Sequence, residues 1–156
     1  MEFRGFSSLQ TPADLLIKLH RDYDRMLETP VHPYPAFDFF VTAEHLLDWQ
    51  HPGRTNRATR TALREAEPLL AITSHIANGA KHFRVEDDRH VSVGGYHFTE
   101  PGVAFPLSFP LSFKTAALVV ELEDCSLPGF DREISVVELG RLVLLYWDDV
   151  FTAGPA

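Results

Sequence analysis

The chain has 156 residues, 45% of them apolar and 23% charged, which fits one compact domain over residues 1–156 and excludes a disordered chain. The net charge of −8 lies in the C-terminal part: residues 1–85 carry ten basic and ten acidic side chains, residues 86–156 four and twelve. A general nucleic-acid coat is thereby disfavoured, and a single cysteine, Cys125, excludes an internal disulfide or a thiolate metal cluster. A reducing cytoplasm is the expected setting. The opening MEFRGFSSLQ has no apolar run of signal-peptide length, and the longest apolar run, Leu142 to Trp147, is far too short for a membrane span.

Helical elements are predicted over residues 11–83. Thr11 with Asp14 reads as a capping box and Pro12 as the first helical residue, after which Leu15, Leu16, Leu19, Tyr23, Met26 and Leu27 recur at helical spacing. Three prolines between Pro30 and Pro35 predict a rigid connection, and a second helix is expected from Ala36 to Trp49 with Phe39, Phe40, Ala43, Leu46 and Leu47 facing the core. A further helical stretch from Thr55 to Phe83 is divided by Pro68.

A strand-rich insert is expected over residues 84–136. Val91 and Val93, then Tyr96 and Phe98, alternate about Gly94–Gly95 and predict a short hairpin turning at the two glycines. The tandem ProLeuSerPhe of residues 106–113 reads as an extended surface loop. Leu118, Val120 and Leu122 predict a strand, with Arg132 to Val136 as its returning partner. A closing helix from Val137 to Phe151 is apolar nearly all round and is expected to be buried. The fold class is therefore α+β: mainly a bundle of four to five helices, with a small antiparallel sheet inserted before the C-terminal helix. Its expected core joins Leu16, Leu19, Phe40, Leu47, Leu69, Ile76, Leu142 and Val143.

Two groups of polar residues invite a functional reading. On the second helix Asp38, Thr42, His45 and Trp49 share a sector of about 60°, with Asp48 at its edge, and downstream His75, Asn78 and His82 share another. If those sectors met, three imidazoles and a carboxylate could shuttle protons or hold a divalent ion. His75 and His82 lie two turns apart, about 10.5 Å of helical rise, so no metal site is expected. The second group is Arg54, Arg57, Arg60 and Arg64, which cover about 120° of helix circumference with no acidic residue from Arg54 to Arg64. Such a face is expected at the surface, where it suits phosphate, RNA or an acidic protein; the alternatives are a merely solvated face or one paired within the chain with the acidic C-terminal part. Opposite it, Ala58, Ala62 and Ala66 form a small-residue seam expected to pack closely.

The segment SerHisIleAlaAsnGlyAlaLysHisPhe, residues 74–83, resembles the end-of-helix motif of the HEPN superfamily, small helical bundles in which an arginine, usually followed by a polar residue, precedes a histidine by four to six residues. Asn78 and His82 match the polar residue and the histidine, while Ala77 stands where the arginine belongs. The resemblance implies a helical bundle and, in active members, a metal-independent ribonuclease whose arginine and histidine meet at a dimer interface. The missing arginine turns the expectation from catalysis towards binding. AsnGlyAlaLysHis also reads simply as a helix terminus with cations at its negative end.

Cys125, flanked by acidic Asp124 and near Glu123, is poorly placed for thiolate activation, and GxSxG, P-loop and dinucleotide motifs are absent. The expected function is a non-catalytic, cytoplasmic binding module without cofactor, engaging a protein partner or a second copy of itself. The alternatives are a HEPN-like ribonuclease or nucleotide-binding protein, and a His-dependent metal hydrolase.

Overall fold

The computed structural model describes residues 6–81, 92–99, 102–104, 112–114, 116–123, 127–130 and 132–154. The helices among them are α1 (Pro12–Glu28), α2 (Pro33–Gln50), α3 (Arg57–Ala66), α4 (Pro68–Lys81) and α5 (Val136–Ala153), with a 3-10 turn, Arg54–Asn56, leading into α3. The strands are β1 (Val93–Thr99), β2 (Gly102–Ala104), β3 (Ser112–Lys114), β4 (Ala117–Leu122) and β5 (Glu133–Ser135). The mainly helical α+β class follows, with the antiparallel sheet placed before the C-terminal helix.

The cap of α1 forms as its sequence dictates. The Asp14 N–H donates to Thr11 Oγ1 at 3.2 Å and the Thr11 N–H donates to Asp14 Oδ2 at 2.9 Å. Hydrogen bonds from the Thr11 side chain, then from the Gln10 and Thr11 backbone, hold the Asp14 carboxyl below its ordinary value. α2 begins three residues before the expected Ala36. His32 caps it, accepting the Tyr34 N–H at its ring nitrogen, and Pro33 and Pro35 belong to the first helical turn. Prolines are tolerated there because those N–H groups have no intrahelical acceptor to lose. Pro68 acts likewise: it opens α4 instead of merely kinking one long helix.

The core lies between α1, α2, α4, α5 and the inner side of the sheet. Leu19, Phe40, Leu47 and Val143 are fully buried, while Leu16, Leu69, Ile76 and Leu142 pack on its rim. α5 buries one side, Val136, Leu139, Gly140, Val143, Leu144 and Trp147, whereas Arg141 and Leu145 are exposed; the expectation of burial all round is corrected to that extent. A single layer of neighbours, α1, α2 and α4 with the sheet edge, covers one face of this helix. Gly140 lets it approach α1 closely, since a Cβ there would collide with Met26 Cε and stand 3.3 Å from the Tyr23 ring.

The main sheet has the order β1-β4-β5, antiparallel throughout, and turns Leu118, Val120, Leu122 and Ile134 into the core. β4 and β5 realise the expected returning pair. The expected turn at Gly94–Gly95 does not form: the chain runs extended through both glycines and pairs with β4, with a register irregularity between Val93 and Gly95. The reason is local. Glu123 occupies the space beside Gly94, where a Cβ would lie 2.7 Å from its carboxylate oxygen, so these glycines admit a neighbour's side chain and a bulge. Val91 lies outside the described residues, as do residues 106–111 of the tandem tetrapeptide; Ser112 and Phe113 pair in β3 with Ala104 and Val103 of β2.

Candidate functional site

The predicted polar sector of α2 is divided between α1, the core and solvent. Thr42 is buried against α1, donating to Asp22 Oδ2 at 2.7 Å and accepting from Lys18 Nζ at 2.8 Å. Asp22, only 3% exposed, also receives Lys18, so its carboxylate is paired and hydrogen-bonded as a buried charge must be. Asp38 accepts from Arg25 Nη1 at 3.0 Å, and Trp49 packs against the core. His45 is exposed.

The candidate residues of α4 also hold the fold together. His75 Nδ1 accepts the Val93 N–H at 3.0 Å and lies 3.4 Å from Ser92 Oγ, fastening α4 to the start of β1. Asn78 Nδ2 donates back to the Ser74 carbonyl at 2.8 Å. Ala77, at the motif's arginine position, is buried at 7% exposure, so its Cβ faces the interior. His82 lies outside the described residues. His45 and His75 thus engage different surroundings, and among the described residues no three His, Cys, Asp or Glu side chains are placed to hold a metal ion.

The arginine face is turned through half a helix relative to expectation. Ala58, Ala62 and Ala66 are exposed, whereas Arg60 and Arg64, with side chains 16% and 23% exposed, lie inward on α2. Arg60 Nε pairs with Asp48 Oδ1 at 3.0 Å, and its Nη1 donates to the carbonyls of His51 and of Gly53, the latter at 2.9 Å. Gly53 adopts φ +82°, the left-handed conformation that brings its carbonyl round to this guanidinium. Arg64 Nη2 donates to Glu44 Oε1, which also accepts from Ser74 Oγ at 3.3 Å. The acidic partners therefore come from α2 and not from the C-terminal part. Burial raises the Glu44 carboxyl above its ordinary value despite the opposing pull of Arg64. Arg54 and Arg57 remain exposed.

The alanine seam loses to this arrangement for a physical reason. Three methyl groups bury little area, while Leu63, set between Arg60 and Arg64, reaches the core and carries both guanidiniums to carboxylates already waiting on α2.

A different face of α2 is left outward. Tyr34 is 72% and Phe37 48% exposed, and Val41, His45 and Asp48 continue the same stripe, opposite buried Phe39, Phe40, Ala43, Leu46 and Leu47. The His32 ring meets the Tyr34 ring edge-on, with centroids 4.7 Å apart, which fixes the stripe's N-terminal end. Leu27 and Val31, at the corner between α1 and α2, are exposed too. This signal was present in the sequence as Tyr34, Phe37 and Val41 at helical spacing, but the stronger inner stripe masked it. A second exposed pair, Tyr96 and Phe98, stands on β1 at the sheet edge, in register with inward Val120 and Leu118.

No helix among the described residues is long and apolar enough to cross a membrane. Comparison with protein-family models, curated proteins and solved structures finds no match for this chain.

Proposed function

We propose that the chain is a cytoplasmic binding module that docks a protein partner on the outward face of α2. The supporting observation is that α2 is apolar on both sides. Its inner side fills the core, and its outer side presents Tyr34 and Phe37 to solvent, with Val41 partly buried beside them. Contiguous exposed apolar side chains mark contact surfaces.

The polar candidates lend less support to an enzyme. His75, Arg60 and Arg64 are each spent on contacts that join elements of this fold, and Asn78 bonds back to Ser74 within its own helix. The HEPN-like ribonuclease reading lacks a solvent-facing position for its arginine, since Ala77 is buried.

The test is site-specific photo-cross-linking in cells. A benzophenone side chain replacing Phe37 is expected to give a discrete protein adduct, while the same group replacing exposed Glu65 on α3 gives none. Absence of an adduct at position 37, or equal labelling at both positions, would overturn the proposal.

A further inference from the structure

We propose that α3 is a clasp that lifts from the bundle as one unit while the other helices and the main sheet stay folded. Alone among the described α-helices, α3 has no buried residue. Its backbone lies against α4 and the 3-10 turn that leads into it, and side chains supply its other attachments. Leu63 packs on the rim of the core, and Arg60 and Arg64 reach the α2 carboxylates. A segment with so little buried apolar surface is the part of a fold that opens at the lowest cost.

The neighbouring helices keep their ends when α3 leaves. The last turn of α2 is closed by the His51 N–H, which donates to the Leu47 carbonyl at 3.1 Å. α4 is capped by Glu67, whose carbonyl accepts the Leu70 and Ala71 N–H groups at 3.0 and 3.1 Å and whose carboxylate accepts the Leu69 N–H at 3.2 Å. The chain turns into α3 at Gly53, φ +82°, and out of it at the extended Glu67, so each end has a place where its path can change. Charge holds the clasp shut, and part of that attraction is already offset: Arg64 Nε is buried without an acceptor, and burial holds the Glu44 carboxyl above its ordinary value. Opening returns both groups to water. Once lifted, a ten-residue helix is too short to persist alone, so α3 unwinds as it opens. Glu44 and Asp48, one turn apart on α2, then face solvent without their cations, and this side of the molecule passes from paired to acidic.

Native-state hydrogen exchange of the full chain, followed by NMR at low denaturant concentrations, tests this. The amides of residues 61–66 are expected to exchange together, about a hundred-fold or more faster than those of Leu46 and Leu47 in α2 and Val143 and Leu144 in α5, and with weaker dependence on denaturant because less surface is exposed. In a chain carrying Arg60→Gln and Arg64→Gln, the amides of residues 61–66 are expected to lose protection while α2 and α5 keep theirs. Exchange of residues 61–66 in the parent at the rate and with the denaturant dependence of α2 and α5 would overturn the clasp, since α3 would then leave only with global unfolding. Loss of protection throughout the double variant would do the same, and so would a double variant in which residues 61–66 exchange as slowly as in the parent.

Discussion

α2 packs against α1, α4 and α5, whereas α3 packs against α4 and reaches α2 only through its arginines, and the two helices invert each other's logic. α3 is sharply two-sided, yet it turns its basic side inward and leaves its alanines in water; α2 buries a wide apolar stripe and still leaves Tyr34 and Phe37 in water. The difference shows what each kind of surface can do alone. A guanidinium can be satisfied by a carboxylate on the neighbouring helix, and Arg60 and Arg64 are. An outward phenyl ring has no equivalent within the described chain, because only more apolar surface satisfies it. Charge on this molecule therefore reports how α3 is fastened to α2, and exposed apolar area reports where something else would fit.

The strongest way to break the comparison is to substitute the two sides of α2 separately. Phe40 is fully buried and meets Phe39 edge-on at 5.2 Å between centroids. Phe40→Ala is expected to cost about 3–5 kcal/mol, as truncation of a packed aromatic does. Phe37→Ala, three residues away on the outer side, is expected to change monomer stability by less than about 0.5 kcal/mol. Chemical denaturation of the two variants beside the parent measures both. A large loss for Phe37→Ala would mean that the outer stripe is packed within the chain, which would remove the basis for docking.

The next effect separates the arginines. Arg64→Gln leaves Glu44, whose side chain is 15% exposed, without its cation, and a loss of about 1–3 kcal/mol is expected. Part of that cost is already offset in the parent, where Arg64 Nε is buried without a hydrogen-bond acceptor. Arg57→Gln touches only solvent, and a change within about 0.5 kcal/mol is expected. Equal melting temperatures for the two variants would show that Arg64 does not fasten α3 to α2.

What could be read from sequence divides along the same line. Caps, helix periods and the returning strand pair are local or nearest-neighbour features, and Thr11, Pro68 and Leu118–Val120–Leu122 announced them. Which side of α3 faces inward was not local: it depends on Glu44 and Asp48, twenty and twelve residues before the arginines they meet, and charge pairing across helices leaves no periodic trace. The same holds for His75, whose partner is a backbone N–H on a strand eighteen residues on. Gly94–Gly95 misled because a glycine pair signals backbone freedom without saying whether a turn or a neighbouring side chain uses it. The outer α2 stripe was legible only in part, because Tyr34 lies in the proline-rich stretch expected to precede a helix beginning at Ala36, and only knowledge of which side the core occupies gives the outer aromatics their meaning.

The smallest effect is also the most specific probe of the α2–α3 junction. Glu44 is held above its ordinary carboxyl value of 4.5 first by desolvation, with Arg64 and Ser74 pulling the other way and Asp48 adding to the rise. A carboxyl whose folded value exceeds its unfolded one binds its proton more tightly in the folded chain. Its contribution to stability is then fully present below about pH 4.5 and is lost as pH rises through the folded value. Glu44→Gln cannot titrate, so its stability relative to the parent should improve from pH 4.5 upward and then level off. Asp14 and Glu138, whose carboxyls are held below their ordinary values by Thr11 and Arg141, lose stability as pH falls, but they do so equally in both proteins and cancel in the difference. Denaturation of parent and variant in parallel between pH 4 and 8 gives that difference directly. A difference that stays constant with pH, or that moves in the parent's favour, would mean that the attraction of Arg64 outweighs burial, and that the ion pair binds α3 to α2 more strongly than the cost of desolvating it.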